Sequence, residues 1–200
     1  MASKRVYTVP FRRKRKGKTN YRRRLALLKS NLLRLVVRKS NKNITAQLVK
    51  FGEKGDVVLF SANSKQLLKY GWDTSCSNTS AAYLVGLLLG TQAKNKEAIL
   101  DLGLQSPLSR SRVYAVAKGA ADGGLKIKMS ENVIPDMTRI QGKHIADYAT
   151  KLKDDKSVYK KIFSNYLKMK KSPDKIQDYF EKSKEKILTG NKNGKRPRNR

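Results

Sequence analysis

The sequence predicts an α/β domain with a mixed sheet, and three observations predict it. Residues 31–63 read as two successive β-hairpins. Leu-Leu-Arg-Leu-Val-Val-Arg-Lys (32–39), Ile-Thr-Ala-Gln-Leu-Val-Lys-Phe (44–51) and Asp-Val-Val-Leu-Phe-Ser-Ala (56–62) are separated by the turn formers of 40–43 and 52–55. A long apolar stretch at 80–94 is followed by a short one at 97–102, the helix-then-strand order of a parallel crossover. The formal charge of +31 over 200 residues is also uneven. Residues 1–52 hold 17 Lys and Arg and no Asp or Glu, residues 53–150 hold 12 against 9, and residues 151–200 hold 17 against 6. A near-neutral body at 25–150 between a basic arm at 1–24 and basic C-terminal segments is the expected organisation.

The arm interleaves Arg12, Arg13, Lys14, Arg15, Lys16, Lys18, Arg22, Arg23 and Arg24 with Tyr7, Phe11 and Tyr21. It has no apolar periodicity, and Pro10 and Gly17 interrupt any early helix. A solubilising or localisation tail and an arm that orders on RNA both fit. In the second reading arginines fork phosphates and aromatic rings stack on unpaired bases. A short helix is predicted over 20–29, with Leu25 and Leu28 inward. In the first strand Leu33, Leu35 and Val37 alternate with Arg34, Val36 and Arg38. One face is therefore apolar, and the other offers cations at every second position.

Residues 64–70 are expected to make a helical turn and 71–78 a loop, with Trp72, the single tryptophan, anchoring it more readily than serving as a stacking platform. Asn78 or Thr79 caps the next helix. That helix is apolar nearly all round, as helices buried against a sheet are, and Gly86 and Gly90 allow close approach. Ser109 or Ser111 is expected to cap a helix over 112–121 that Gly123-Gly124 closes. Residues 125–129 suggest an edge strand and 141–149 a further helix.

Beyond Lys151, Val158, Ile162, Tyr166 and Met169 recur at helical spacing. Pro173 restarts a second helix with Ile176, Tyr179, Phe180, Ile187 and Leu188. A helical hairpin at 151–190 lying on a partner is expected, followed by a disordered basic tail at 191–200.

Charge on this scale implies a neutralising polyanion, since self-repulsion opposes compaction. No apolar run approaches the ~18–20 residues of a membrane span, and the N-terminus lacks the apolar core of a signal peptide. A single cysteine, Cys76, excludes an internal disulfide and fits a reducing, cytosolic setting. Catalysis fails on inventory. With one histidine, His144, and one cysteine, neither a His/Cys metal cluster nor a nucleophile with a histidine base can be drawn. No cofactor is expected, because the phosphate-cradling Gly-x-x-x-x-Gly-Lys pattern does not occur. A magnesium-dependent nuclease built on Asp56, Asp101 and Asp122 is the remaining enzymatic alternative, weighed against ordinary turn and cap roles for those residues. A basic DNA-compacting protein is the alternative from another class.

An ordered series of matches then narrows the reading. Leu-Arg-Leu-Val-Val-Arg-Lys-Ser-Asn-Lys-Asn-Ile-Thr-Ala-Gln (33–47) resembles the first hairpin of the eighteenth universal protein family of the large ribosomal subunit. Lys-Tyr-Gly-Trp (69–72), Asn-Thr-Ser-Ala-Ala-Tyr-Leu-Val-Gly (78–86), Ile-Leu-Asp-Leu-Gly-Leu (99–104), residues 111–125, Arg-Ile-Gln-Gly-Lys-His-Ile-Ala (139–146) and Gly-Lys-Thr-Asn-Tyr-Arg-Arg-Arg-Leu (17–25) follow suit. The resemblance covers about 10–150 and is closest to the archaeal branch. It implies a ribonuclease H-like sandwich without a catalytic site, and a structural protein that binds 5S rRNA and helps attach it to 23S-type rRNA in the central protuberance. Large-subunit rRNA, neighbouring ribosomal proteins and the fifth universal large-subunit protein are the further partners it implies. RNA contacts carried over by resemblance are Lys18, Tyr21, Arg22, Arg23, Arg24, Arg34, Arg38, Ser40, Asn41 and Lys42, with Asn78, Thr79, Lys143 and His144 beside them. Arg12, Arg13 and Arg15 join from the arm's own composition.

Overall fold

A computed structural model of the chain describes residues 8–190. Two short helices, α1 (Arg12–Arg15) and α2 (Tyr21–Leu28), precede three strands, β1 (Leu33–Lys39), β2 (Ile44–Lys50) and β3 (Val57–Asn63). After a 3-10 stretch at Ser64–Tyr70 come α3 (Thr79–Gln92), β4 (Glu97–Asp101), α4 (Arg112–Asp122) and β5 (Lys126–Ile127). Five helices end the described chain: α5 (Met137–Gln141), α6 (Lys143–Lys151), α7 (Lys156–Ile162), α8 (Ser164–Lys168) and α9 (Ile176–Gly190). The expected disorder of 191–200 lies outside the described residues, as do the arm's first seven.

The sheet has the order β3-β2-β1-β4-β5. β1, β2 and β3 pair antiparallel, while β4 joins β1 in parallel and β5 joins β4 in parallel. This is the mixed sheet expected from two hairpins followed by helix-strand-helix, with the strand order of a ribonuclease H-like fold. Register fixes the faces. Leu35, Val37, Ile44, Ala46 and Leu48 point into the core, where α3 and α4 cover them. Across the opposite face Ser61, Gln47, Val36 and Asp101 lie in one row, and Val58, Val49, Arg34 and Ile99 in the next.

α3 explains its own composition. Every residue from Ser80 to Thr91 is buried, because the sheet covers one side and α4, α5 and α9 cover the others. Its crossing with α4 is backbone against backbone. A Cβ on Gly86 would collide with the Val116 carbonyl, and one on Gly119 with the Tyr83 carbonyl. Asn78 caps α3 by accepting from Ala81 N at 2.8 Å, as the sequence indicates. Trp72 is fully buried and donates from Nε1 to Ser75 O at 3.1 Å, the anchoring role expected of it.

The C-terminal segment differs from expectation. Its last helix, α9, turns one face to the protein's own core. It packs back on α3, burying Ile176, Phe180, Ser183 and Ile187 along one stripe, with the Phe180 ring 5.5 Å from that of Tyr83. Leu188, read with that stripe, is exposed. In the preceding segment the inward phase is shifted. Val158, Ile162 and Met169 face outward, while Phe163 is buried among Tyr148, Tyr159 and Tyr166, its ring 5.1–6.3 Å from theirs. Burial in this cluster pushes the Tyr166 phenol up to about 12. The helix expected at 141–149 is α6, shifted to Lys143–Lys151, because Gly142 takes φ 89° between it and the short α5 and leaves room for Ile176 against its backbone. The edge strand expected at 125–129 pairs over two residues only.

Gly86→Ala drives a methyl into the α4 backbone and is expected to cost about 3 kcal/mol, the upper range for overpacking. Urea unfolding measures this, and a midpoint equal to that of the parent chain would show that α3 and α4 can separate freely.

Candidate nucleic-acid interface

The described part of the arm, 8–24, lies on the sheet face that α3 and α4 leave open, and arginines hold it there. α2 begins where the Asn20 side chain accepts from Arg23 N at 3.1 Å. From this helix Arg24 forks Asp56, with Nη1 and Nη2 each 2.9 Å from a carboxylate oxygen. Arg23 reaches the other way, donating to Gly103 O at 2.9 Å and Gln105 O at 3.3 Å in the loop after β4. α2 therefore straddles the sheet, tied to the start of β3 on one side and the end of β4 on the other. This fixes its rotation: Leu28 is half-buried, but Leu25, expected inward, is 59% exposed because Arg24 takes the inward position.

Beneath α2 sits Arg34, 2% exposed. Its Nη1 donates to Asp101 Oδ2 at 3.3 Å, and its Nη2 lies 2.7 Å from Asp56 Oδ1 but off the N–H direction. Arg38, four residues on along the same face, donates from Nη1 to the Asp101 carbonyl at 3.0 Å, and its side chain is about half exposed. Asp101 is completed by the Gly103 amide at 2.7 Å. Two carboxylates thus organise three arginine side chains, Arg24, Arg34 and Arg38. The bidentate Arg24 bond, joined by Arg34, holds the Asp56 carboxyl below the usual carboxylate range, while Arg24 is raised by the same bond.

The sequence offers Arg34 to a polyanion, and the structure places it inside this network instead. Arg23 and Arg24 are likewise engaged with the protein. Among the described residues Arg12, Arg15 and Arg22 are exposed and make no side-chain hydrogen bond or ion pair. Arg13 donates to Thr19 Oγ1 at 2.8 Å and folds the turn around Gly17, where φ is 58°. Tyr21 packs on Phe11 with ring centroids 5.3 Å apart. At the β1–β2 turn Ser40 is structural: its Oγ accepts from Asn43 N at 2.9 Å, which presents Asn41 and Lys42 at an exposed tip.

Lys18 lines the cleft between the arm and this face, whereas Asn78, Thr79, Lys143 and His144 are not brought to it. Asn78 and Thr79 begin α3. Lys143 and His144 start α6, which packs on α5, α9 and the turn at 173–175, on the far side of α3 from the sheet. Partial burial and then Arg139 push the His144 pKa down, so its imidazole is neutral near pH 7. The three aspartates of the nuclease alternative do not meet. Asp56 and Asp101 serve arginines, Asp122 accepts from the Tyr83 hydroxyl at 2.8 Å, and no metal-binding group of His, Cys, Asp and Glu occurs among the described residues. Tyr83 is raised by burial first and by Asp122 second.

What sequence reasoning missed was the acidic half of this surface. The signal was present: Asp101 stands opposite Val36 on the strand pairing parallel with β1, so Arg34 and Arg38 at Val36 ± 2 flank it on one face.

Fold and surface together define a basic α/β protein that presents arginines and aromatics from an arm clamped to its sheet. The family profile described as "Ribosomal large subunit proteins 60S L5, and 50S L18" matches residues 4–99. The large ribosomal subunit protein uL18 of Methanococcus maripaludis is 49% identical over 191 residues, covering 94% of this chain and 99% of that protein. The chain belongs to the uL18 family of large ribosomal subunit proteins. That family is structural rather than enzymatic, which removes the nuclease alternative and sets the chain among ribosomal RNA and other ribosomal proteins. No described helix is long and apolar enough to cross a membrane.

A carboxylate held below its usual pKa adds stability above the unfolded value of ~3.9, and that stability is lost as pH falls through the folded value. The stability difference between the parent chain and Asp56→Asn should therefore be present at pH 7 and close as pH falls below the unfolded value of ~3.9 and through the lower folded one. Urea midpoints across that range measure it, and a gap independent of pH would disprove the Asp56 contribution.

Proposed function

We propose that this chain binds 5S rRNA and helps attach it to 23S-type rRNA in the central protuberance, beside the fifth universal large-subunit protein. The observation that carries the reading is the arm. Its exposed cations Arg12, Arg15 and Arg22 stand on a scaffold fixed by Arg23 and Arg24, so a basic surface is preorganised rather than loose. Arg38 and the Asn41–Lys42 tip extend that surface along β1. Shape and phosphate contacts dominate here, because A-form RNA hides its base edges in a deep, narrow groove. In this reading 1–24 is the RNA-binding arm, 25–150 the core, 151–190 a helical extension and 191–200 a basic tail. Arg34, Arg23 and Arg24 position the surface from within, and Lys143, His144, Asn78 and Thr79 meet a different part of the assembly.

A DNA-compacting protein would share the charge but not a preference for folded RNA. Competition of 5S RNA against duplex DNA of equal length at ~0.3 M salt separates the two, since weak electrostatic binding has largely faded there. 5S RNA is expected to win, and equal competition would overturn the proposal. With on the order of eight phosphates neutralised, log K should fall with log salt at a slope of roughly −5 to −7. The triple variant Arg12→Ala, Arg15→Ala, Arg22→Ala should flatten that slope by about 2–3. An unchanged slope would remove these residues from the interface.

A further inference from the structure

Between the arm and the open sheet face lies a cleft of about 540 Å³, within the ~300–1,000 Å³ range of sites that enclose small ligands. Its walls are not uniformly basic. The floor combines the apolar side chains of Val36, Val49 and Val58 with the Gln47 amide, and Asp56 and Asp101 also line it. The rim carries Arg13 and Lys18, and Tyr21, backed by Phe11, forms one side. At the floor Arg24, Arg34 and Arg38 are already engaged by Asp56 and Asp101, so a bare phosphate there would compete with two carboxylates for them. A ligand with a flat, partly apolar body bearing amine donors and an anionic end suits this distribution: the body enters and the charge stays at the rim.

We propose that this cleft takes a single unstacked nucleotide of the bound RNA, base inward against Tyr21 and the valine floor, phosphate on the Arg13–Lys18 rim. The inference rests on the RNA-binding reading above and assigns that surface a discrete pocket. Stacking and edge contacts to an extruded base are the ordinary way proteins read unpaired RNA. Gln47 sits at the floor, opposite Val36 in the β1–β2 register, and its amide adds one donor and one acceptor for a base edge. Arg34 closes the bottom. Its buried Nε has no partner in the protein, and it shapes the floor through Asp56 and Asp101 rather than touching phosphate.

Gln47→Trp fills the floor without changing charge. Its 5S RNA affinity should fall by about tenfold or more, the scale of one lost stacked base, while the salt slope stays that of the parent chain. The same bulk at exposed Gln66, outside the cleft, should leave affinity unchanged. As an independent reading on the unaltered chain, photocrosslinking with 4-thiouridine-substituted 5S RNA should attach a nucleotide to peptides containing Tyr21 or residues 34–49. Unchanged affinity in Gln47→Trp, or crosslinks confined to other peptides, overturns the pocket while 5S binding stands. A parent chain without preference for 5S RNA overturns the function reading and the pocket together.

Discussion

The burial of Arg34 is the constraint on which the RNA-facing side of this molecule depends. A guanidinium taken out of water costs several kcal/mol unless carboxylates with good geometry answer it. Here Asp101 at the end of β4 accepts from it at 3.3 Å, and Asp56, just before β3, adds its charge 2.7 Å from Nη2. Each also holds a second arginine, Arg24 from the arm and Arg38 from β1. One buried cation thereby fixes the arm, the central strand and two loop ends relative to one another. In a chain of net charge +31 the arm would otherwise be driven off the body by repulsion.

The other side of the sheet solves a different problem. α3 is apolar on every side, so a sheet alone leaves half of it in water. α4 closes one flank at backbone contact through Gly86 and Gly119, and α9 closes another with Phe180 against Tyr83. The C-terminal segment is thus bound to the core by its own chemistry, and the lysines on its outer faces are what remain for the surroundings. This division accounts for two separate basic surfaces, one at the arm and one on the C-terminal helices, with the neutral core between them.

The fold was legible because its signals are local. Alternation in β1, turn residues between strands, and an unbroken apolar run in α3 each specify an element without knowledge of its neighbours. What could not be read was phase and partnership. Val158, Ile162 and Met169 satisfy helical spacing as well as Tyr159 and Phe163 do, and only the aromatic cluster decides which set turns inward. The same limit applied to Arg22, Arg23 and Arg24. They are chemically identical in sequence, yet one faces solvent, one grips loop carbonyls and one forks a carboxylate, because a helix spreads three consecutive residues over about 200° of its circumference.

That distribution separates two jobs which charge counting merges. An arginine already paired to a carboxylate releases few counterions when RNA arrives, so it contributes little to salt-dependent affinity. An arginine standing in solvent contributes that term but cannot determine where the arm sits. Arg24 and Arg34 belong to the first kind, Arg12, Arg15 and Arg22 to the second, and Arg38, bonded to Asp101 yet about half exposed, spans both. Specificity for a folded RNA requires the two kinds together: fixed cations give the surface its shape, and open ones give the shape its hold on phosphate.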